Sequence, residues 1–167
     1  MYIKSYSTIP SFARQVALGL LGIMLLSLHA CKQMDVYEKN TSFAHHEWKA
    51  TDTAQGQFLI TDTNAIYNVS IVLRHTDAYL YNNIWLQLGI QSPEDRQHNF
   101  QKINLTLGDD ANGWEGTGMN DIWEVRKRYT SCRFKKPGLY TYSLFHIMRD
   151  EPLLHVMSAG LRVEKNQ

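Results

Sequence analysis

Few residues in this chain stand at spacings that chemistry requires. His45-His46-Glu47 offers three potential metal ligands in a row. Neighbours on an extended chain point to opposite faces, so they do not converge on one ion, and the segment reads as exposed and polar. His75 and Asp77 share a strand face, but no Gly-x-Ser-x-Gly elbow or other nucleophile signature accompanies them. They read as a strand end entering a turn. Asp109, Asp110 and Asn112 precede Gly113 without the alternating acids and terminal Glu of a calcium loop, which leaves a tight turn. Gly113, Gly116 and Gly118 around Trp114 permit a close-packed loop with positive φ. Phosphate binding would need a following Gly-Lys-Ser/Thr or a helix start, and neither is there. The expectation is a protein that is not an enzyme, with no catalytic residue, metal site or cofactor.

The remaining reactive groups are two thiols, and they lie in different kinds of chain. Residues 1–14 are polar and short of acids, carrying Lys4 and Arg14, and Val16 to Leu28 (VALGLLGIMLLSL) is a 13-residue apolar run. As a helix it would rise about 20 Å, too short for a hydrocarbon core of about 30 Å. A positive head before a short apolar core reads as a secretory signal peptide. It ends in Leu28-His29-Ala30-Cys31, which resembles the lipobox of bacterial lipoproteins, where the Cys thiol is acylated and becomes the mature N-terminus. Acyl chains bury CH₂ groups at about 0.8 kcal/mol each, so membrane lipid held through Cys31 is the first expected partner. Residues 1–30 are thus read as signal peptide, 31–41 as a polar tether and 42–167 as one domain.

Splitting the chain there changes its arithmetic. Removing residues 1–30 from 167 leaves 137, and with Lys4 and Arg14 gone the count is 15 basic against 16 acidic residues, a formal charge of −1. Nothing in that balance suggests nucleic acid. With Cys31 taken by lipid, Cys132 has no partner for an intrachain disulfide and is expected to be buried.

The mature chain alternates with a period of two. Tyr67, Val69, Ile71 and Leu73 form one apolar face; Ile84, Leu86, Leu88 and Ile90 form another, with Trp85 and Gln87 opposite. Ile103–Leu107, Tyr140–Leu144 and Met157–Val163 alternate likewise, and Gln57–Thr61 and Ile122–Phe134 are further candidates. Turn residues fall between them, at Asp62-Thr63-Asn64, Asp77-Ala78, Ser92-Pro93, Asp109–Gly113, Pro137-Gly138 and Asp150-Glu151-Pro152. Short strands at this spacing, without an amphipathic helix, predict an all-β fold, an antiparallel β-sandwich of about seven to eight strands.

Several stretches then resemble the gliding motility lipoprotein GldH family of Bacteroidetes. They are Arg74-His75-Thr76, Tyr79-Leu80-Tyr81-Asn82-Asn83-Ile84-Trp85-Leu86, Gly113-Trp114-Glu115-Gly116-Thr117-Gly118, Pro137-Gly138-Leu139-Tyr140, Met148-Arg149-Asp150-Glu151-Pro152-Leu153 and Gly160-Leu161-Arg162-Val163. The resemblance implies a non-enzymatic envelope lipoprotein linked to gliding motility and to the type IX secretion apparatus. Its expected setting is the outer membrane, facing the periplasm, with proteins of that machinery as partners.

Large rings and Arg dominate interface energetics, so Tyr79, Tyr81, Trp85, Trp114 and Arg149 are the candidate protein-contact residues. Core packing is the competing use of the same rings. Sandwiches that expose Trp and Tyr also stack on sugars, so a glycan-binding outer-membrane lipoprotein is the alternative function. Asp52-Thr53-Ala54 resembles the acceptor motif of Bacteroidetes envelope O-glycosylation, which makes Thr53 a candidate acceptor.

Overall fold

The computed structural model describes residues 36–95, 97 and 99–166; the signal peptide and Cys31 lie outside them. The strands are β1 (Val36–Ser42), β2 (Glu47–Trp48), β3 (Ala54–Ile60), β4 (Tyr67–Thr76), β5 (Asn83–Gln91) and β6 (Asn99–Thr106). They continue as β7 (Gly108–Asp109), β8 (Gly113–Trp114), β9 (Thr117–Met119), β10 (Ile122–Cys132), β11 (Gly138–His146), β12 (Leu153–Leu154) and β13 (Val156–Lys165). Among the described residues, one sheet runs β1-β13-β4-β10-β9 and the other β3-β11-β5-β6. All pairings are antiparallel, and β12-β2 and β7-β8 add two small ribbons.

The alternation produces the core. Tyr67, Val69, Ile71 and Leu73 of β4 face Ile84, Leu86 and Leu88 of β5 and Tyr140, Tyr142 and Leu144 of β11 within one buried cluster. The all-β sandwich expected from the periodicity is therefore what the chain adopts. Nine strands make up its two sheets, more than the seven or eight expected, because β1 and the three-residue β9 carry too few apolar side chains to announce themselves. The tether expected over 31–41 is accordingly cut short: from Val36 onward the chain is paired with β13, Val36 opposite Glu164 and Thr41 opposite Ala159. The long strand expected over Ile122–Phe134 ends at Cys132 and is bulged between Arg128 and Thr130, which leaves Tyr129 out of the ladder.

The outer face of the five-stranded sheet carries an alternating chain of charges. Arg74 pairs with Glu124, Glu124 with Arg126 at 2.9 Å, Arg126 with Glu38 at 3.3 Å, Glu38 with Arg162 at 2.8 Å and Arg162 with Glu164 at 2.8 Å. Long stems laid across the face explain why Ser70 and Val72, on the solvent side of β4, are nonetheless buried. At the other edge of that sheet, Gly118 sits opposite Trp123, whose ring carbons lie 2.9 Å from where a Cβ would be. The indole needs that glycine in order to lie flat on β9.

Candidate functional site

All five candidate contact residues come from the same end of the sandwich, where β4, β6 and β11 finish and β5, β10 and β13 begin. They divide there into packing and surface. Tyr79 is only 4 % exposed, and its hydroxyl donates to the Asn83 carbonyl at 3.1 Å. Its ring lies 5.6 Å from that of His75, 5.8 Å from Tyr81 and 6.3 Å from Trp114. Tyr79 therefore cannot present its ring to a partner, which corrects its assignment as a contact residue: the strand-end turn carries it back over the core. Burial pushes its hydroxyl pKa up, with Tyr81 and Asp150 adding to the shift. Trp114, half-buried, packs edge-on against His75 at 4.6 Å and 66°.

Tyr81 and Trp85 are the rings with accessible area. Tyr81 is half-buried, and its hydroxyl donates to Asp150 Oδ2 at 2.6 Å, a bond that raises its pKa. Trp85 is 42 % exposed on the outer face of the four-stranded sheet. Its backbone N–H donates to Met148 Sδ at 3.2 Å and its carbonyl accepts from the Ile147 N–H at 2.9 Å. Those bonds bring the 147–154 loop against β5 and set Arg149 nearby. Arg149 is exposed and makes no ion pair with another described residue. Two residues were missed by reading the sequence for aromatics: Leu80, 76 % exposed, and Leu154 line a groove with Tyr81 and residues 150–153. Their exposure is the signal, and a lone Leu in a polar loop does not advertise it.

The remaining chemistry candidates take structural places. His75 is fully buried, with Nδ1 2.8 Å from the Thr76 carbonyl, so Nδ1 carries the proton and Nε2 faces no hydrogen-bond partner. Burial pushes its pKa down against the opposing pull of that carbonyl. Asp77 is exposed. His146 is buried beneath Trp48, ring centroids 5.3 Å apart, with Glu151 Oε2 3.9 Å from its Nε2. Its pKa too is pushed down by burial, with Glu151 opposing. His45 and His46 occupy an exposed 3₁₀ turn, both at positive φ. Asp109 builds its own turn: Oδ1 accepts the Ala111 and Asn112 amides at 2.9 and 2.7 Å. Among the described residues no three His, Cys, Asp or Glu side chains gather as a metal site would require. Cys132 is half-buried, and burial raises its thiol pKa. Thr53 is half-buried in the turn that leads into β3.

A family model described as GldH lipoprotein matches residues 35–163, which is the whole sandwich apart from its last few residues. The chain belongs to the GldH lipoprotein family. It is 27 % identical over 166 residues to the gliding motility lipoprotein GldH homolog of Christiangramia forsetii, covering 92 % of this chain and 97 % of that relative. To the gliding motility lipoprotein GldH of Flavobacterium johnsoniae it is 24 % identical over 158 residues, covering 88 % and 95 %. No solved structure matches it. The family resemblance seen in the strand and loop signatures is thus a true membership, and membership of a lipoprotein family makes this a membrane-anchored protein of the cell envelope.

Proposed function

We propose that this lipoprotein supports the machinery of gliding motility and type IX secretion as an assembly, stability or interaction factor. It acts without enzymatic turnover, from the outer membrane, facing the periplasm, with Cys31 as the acylated residue. The observation that carries the reading is the family match over residues 35–163 together with relatives named for gliding motility. The loop end of the sandwich supports a protein contact there: Leu80, Tyr81, Trp85 and Arg149 combine apolar area, rings and a free guanidinium. Anchoring confines the search for membrane-bound partners to two dimensions and raises their effective concentration.

Crosslinking followed by affinity capture from the native envelope tests this. Motility or secretion components should be enriched over an unrelated lipoprotein, and their absence would remove the proposal. Cys31→Ala should move the protein to the soluble fraction; retention in the membrane would sink the anchor assignment.

The glycan-binding alternative has one observation in its favour. Trp85 and Phe100 are both exposed on the outer face of the four-stranded sheet, with Gln87 and Asn104 beside them. A sugar platform needs coplanar rings, and Phe100 packs edge-on against Phe145 at 62°, so that pair forms no flat platform. The protein-contact reading therefore has the better support, and binding to an array of envelope glycans, lost in Trp85→Ala, would reverse that order.

A further inference from the structure

We infer that the end of the sandwich where β1 begins rests on the headgroup layer of the leaflet holding Cys31, through Leu59, Leu139, Arg128, Arg133 and Lys135. The inference rests on the reading that Cys31 carries lipid, and it adds which face meets the membrane.

Chain length restricts the orientation. Five residue steps separate Cys31 from Val36, at most about 17 Å when fully extended. From Val36 the chain is locked into the sheet, residue by residue against β13, as far as Ser42 opposite Ser158. β10, with eleven residues, is about 36 Å long, so the tether is shorter than the sandwich it holds. The end that can approach the lipid surface contains the start of β1, the 61–66 and 133–137 connections and the last residues of β13, with Arg128 of β10 two residues further in, level with Glu38.

That end has the composition of a surface for anionic headgroups. Leu59 and Leu139 are cross-strand partners on the outer face, 62 % and 48 % exposed. Its carboxylates are mostly occupied: Lys165 takes Asp62, Lys136 takes Glu94 and Arg162 takes Glu164. Arg128 and Lys135 have no ion pair with a described residue, and Arg133 donates only to the neutral carbonyl of Asn64, at 3.1 Å. Against these three cations stands Asp95, bonded to Ser92. The opposite end carries the reverse sign: Asp77, Asp109, Asp110, Asp121, Asp150 and Glu151 are exposed there, with Lys49 and Arg149 among them. An anionic leaflet attracts one end and repels the other, and one lipidated residue with a basic patch is a stable two-signal anchor.

The test uses the mature acylated protein with Cys132→Ser, in vesicles of phosphatidylethanolamine and phosphatidylglycerol. A single fluorophore is attached through Leu139→Cys or Leu154→Cys, and a nitroxide is carried on the lipid headgroup. Position 139 lies at the start of β11, about 30 Å long, and position 154 in the short β12 beyond its far end, so quenching at 139 should exceed that at 154 at least about threefold. Changing Arg128, Arg133 and Lys135 together to Glu should reduce that ratio toward one. Equal quenching in the starting protein, or a ratio untouched by charge reversal, overturns the docked face while the anchor stands. Failure of the protein to float with the vesicles overturns the anchor, and this inference with it.

Discussion

His75 and His146 are buried, and both are held neutral by their surroundings at physiological pH. Unfolded, each would titrate at about 6.5. As pH falls below that value the unfolded chain takes up protons that the folded one refuses, so their contribution is complete above about pH 6.5 and declines beneath it. Melting temperatures should fall between about pH 6.5 and pH 5, and His75→Gln should flatten the slope whatever it does to the absolute value. Carboxylates add their losses only below about pH 4.5. Among them is Glu38, whose partial burial is outweighed by Arg162 and Arg126. The same buried corner sets the worth of Tyr79: Tyr79→Phe should cost about 1 kcal/mol through the Asn83 carbonyl left unpaired, and Tyr79→Ala about 3–5 kcal/mol in a denaturant titration. Residue type marked Tyr79 as either core or contact. Only its 4 % exposure decided between them, because the turn of residues 77–82 bends it inward.

At the scale of elements, β1 is the piece that reading the sequence as a tether misplaced. Val36–Ser42 alternates, but of the side chains that face inward Tyr37 is the large one, meeting Phe58 at 5.8 Å and Tyr142 at 6.3 Å. One ring in seven residues is too little periodic signal, and the strand exists because β13 supplies a ladder for it. The pairing is close at Gly160, opposite Asn40, where a Cβ would stand 2.0 Å from the Lys39 carbonyl oxygen and 2.7 Å from Asn40 Cα. Backbone cannot give way as a side chain can. Gly160→Ala should therefore pry β1 from the sheet, seen as faster amide exchange over residues 37–42 and a stability loss of about 2 kcal/mol or more. The ionic chain across the sheet is a weaker brace. Its members are part-exposed, and each pair is worth about 1 kcal/mol or less, decreasing with salt.

For the molecule as a whole, the groove residues and the core residues at the loop end should separate by experiment. Leu80→Asp and Arg149→Glu change exposed side chains, so each should alter unfolding free energy by no more than about 0.5 kcal/mol. Both should lower the yield of partner captured by crosslinking. Unchanged capture with both in place would move the contact surface elsewhere. Trp114→Ala, by contrast, should reduce stability and capture together, since it uncovers His75 and Tyr79.

Local periodicity and local chemistry were legible along the chain. The apolar run ending at Cys31, the two-residue alternation that makes seven strands, and the Asp109 turn are readable because each depends on neighbours along the chain. Tertiary structure decided the rest: that Tyr79 packs while Tyr81, Trp85 and Leu80 stay reachable, that residues 36–41 are strand, and that the cations without an ion pair outnumber such acids at one end while acids outnumber cations at the other. These depend on which strands become neighbours across the two sheets, a long-range pairing that residues far apart in sequence settle together.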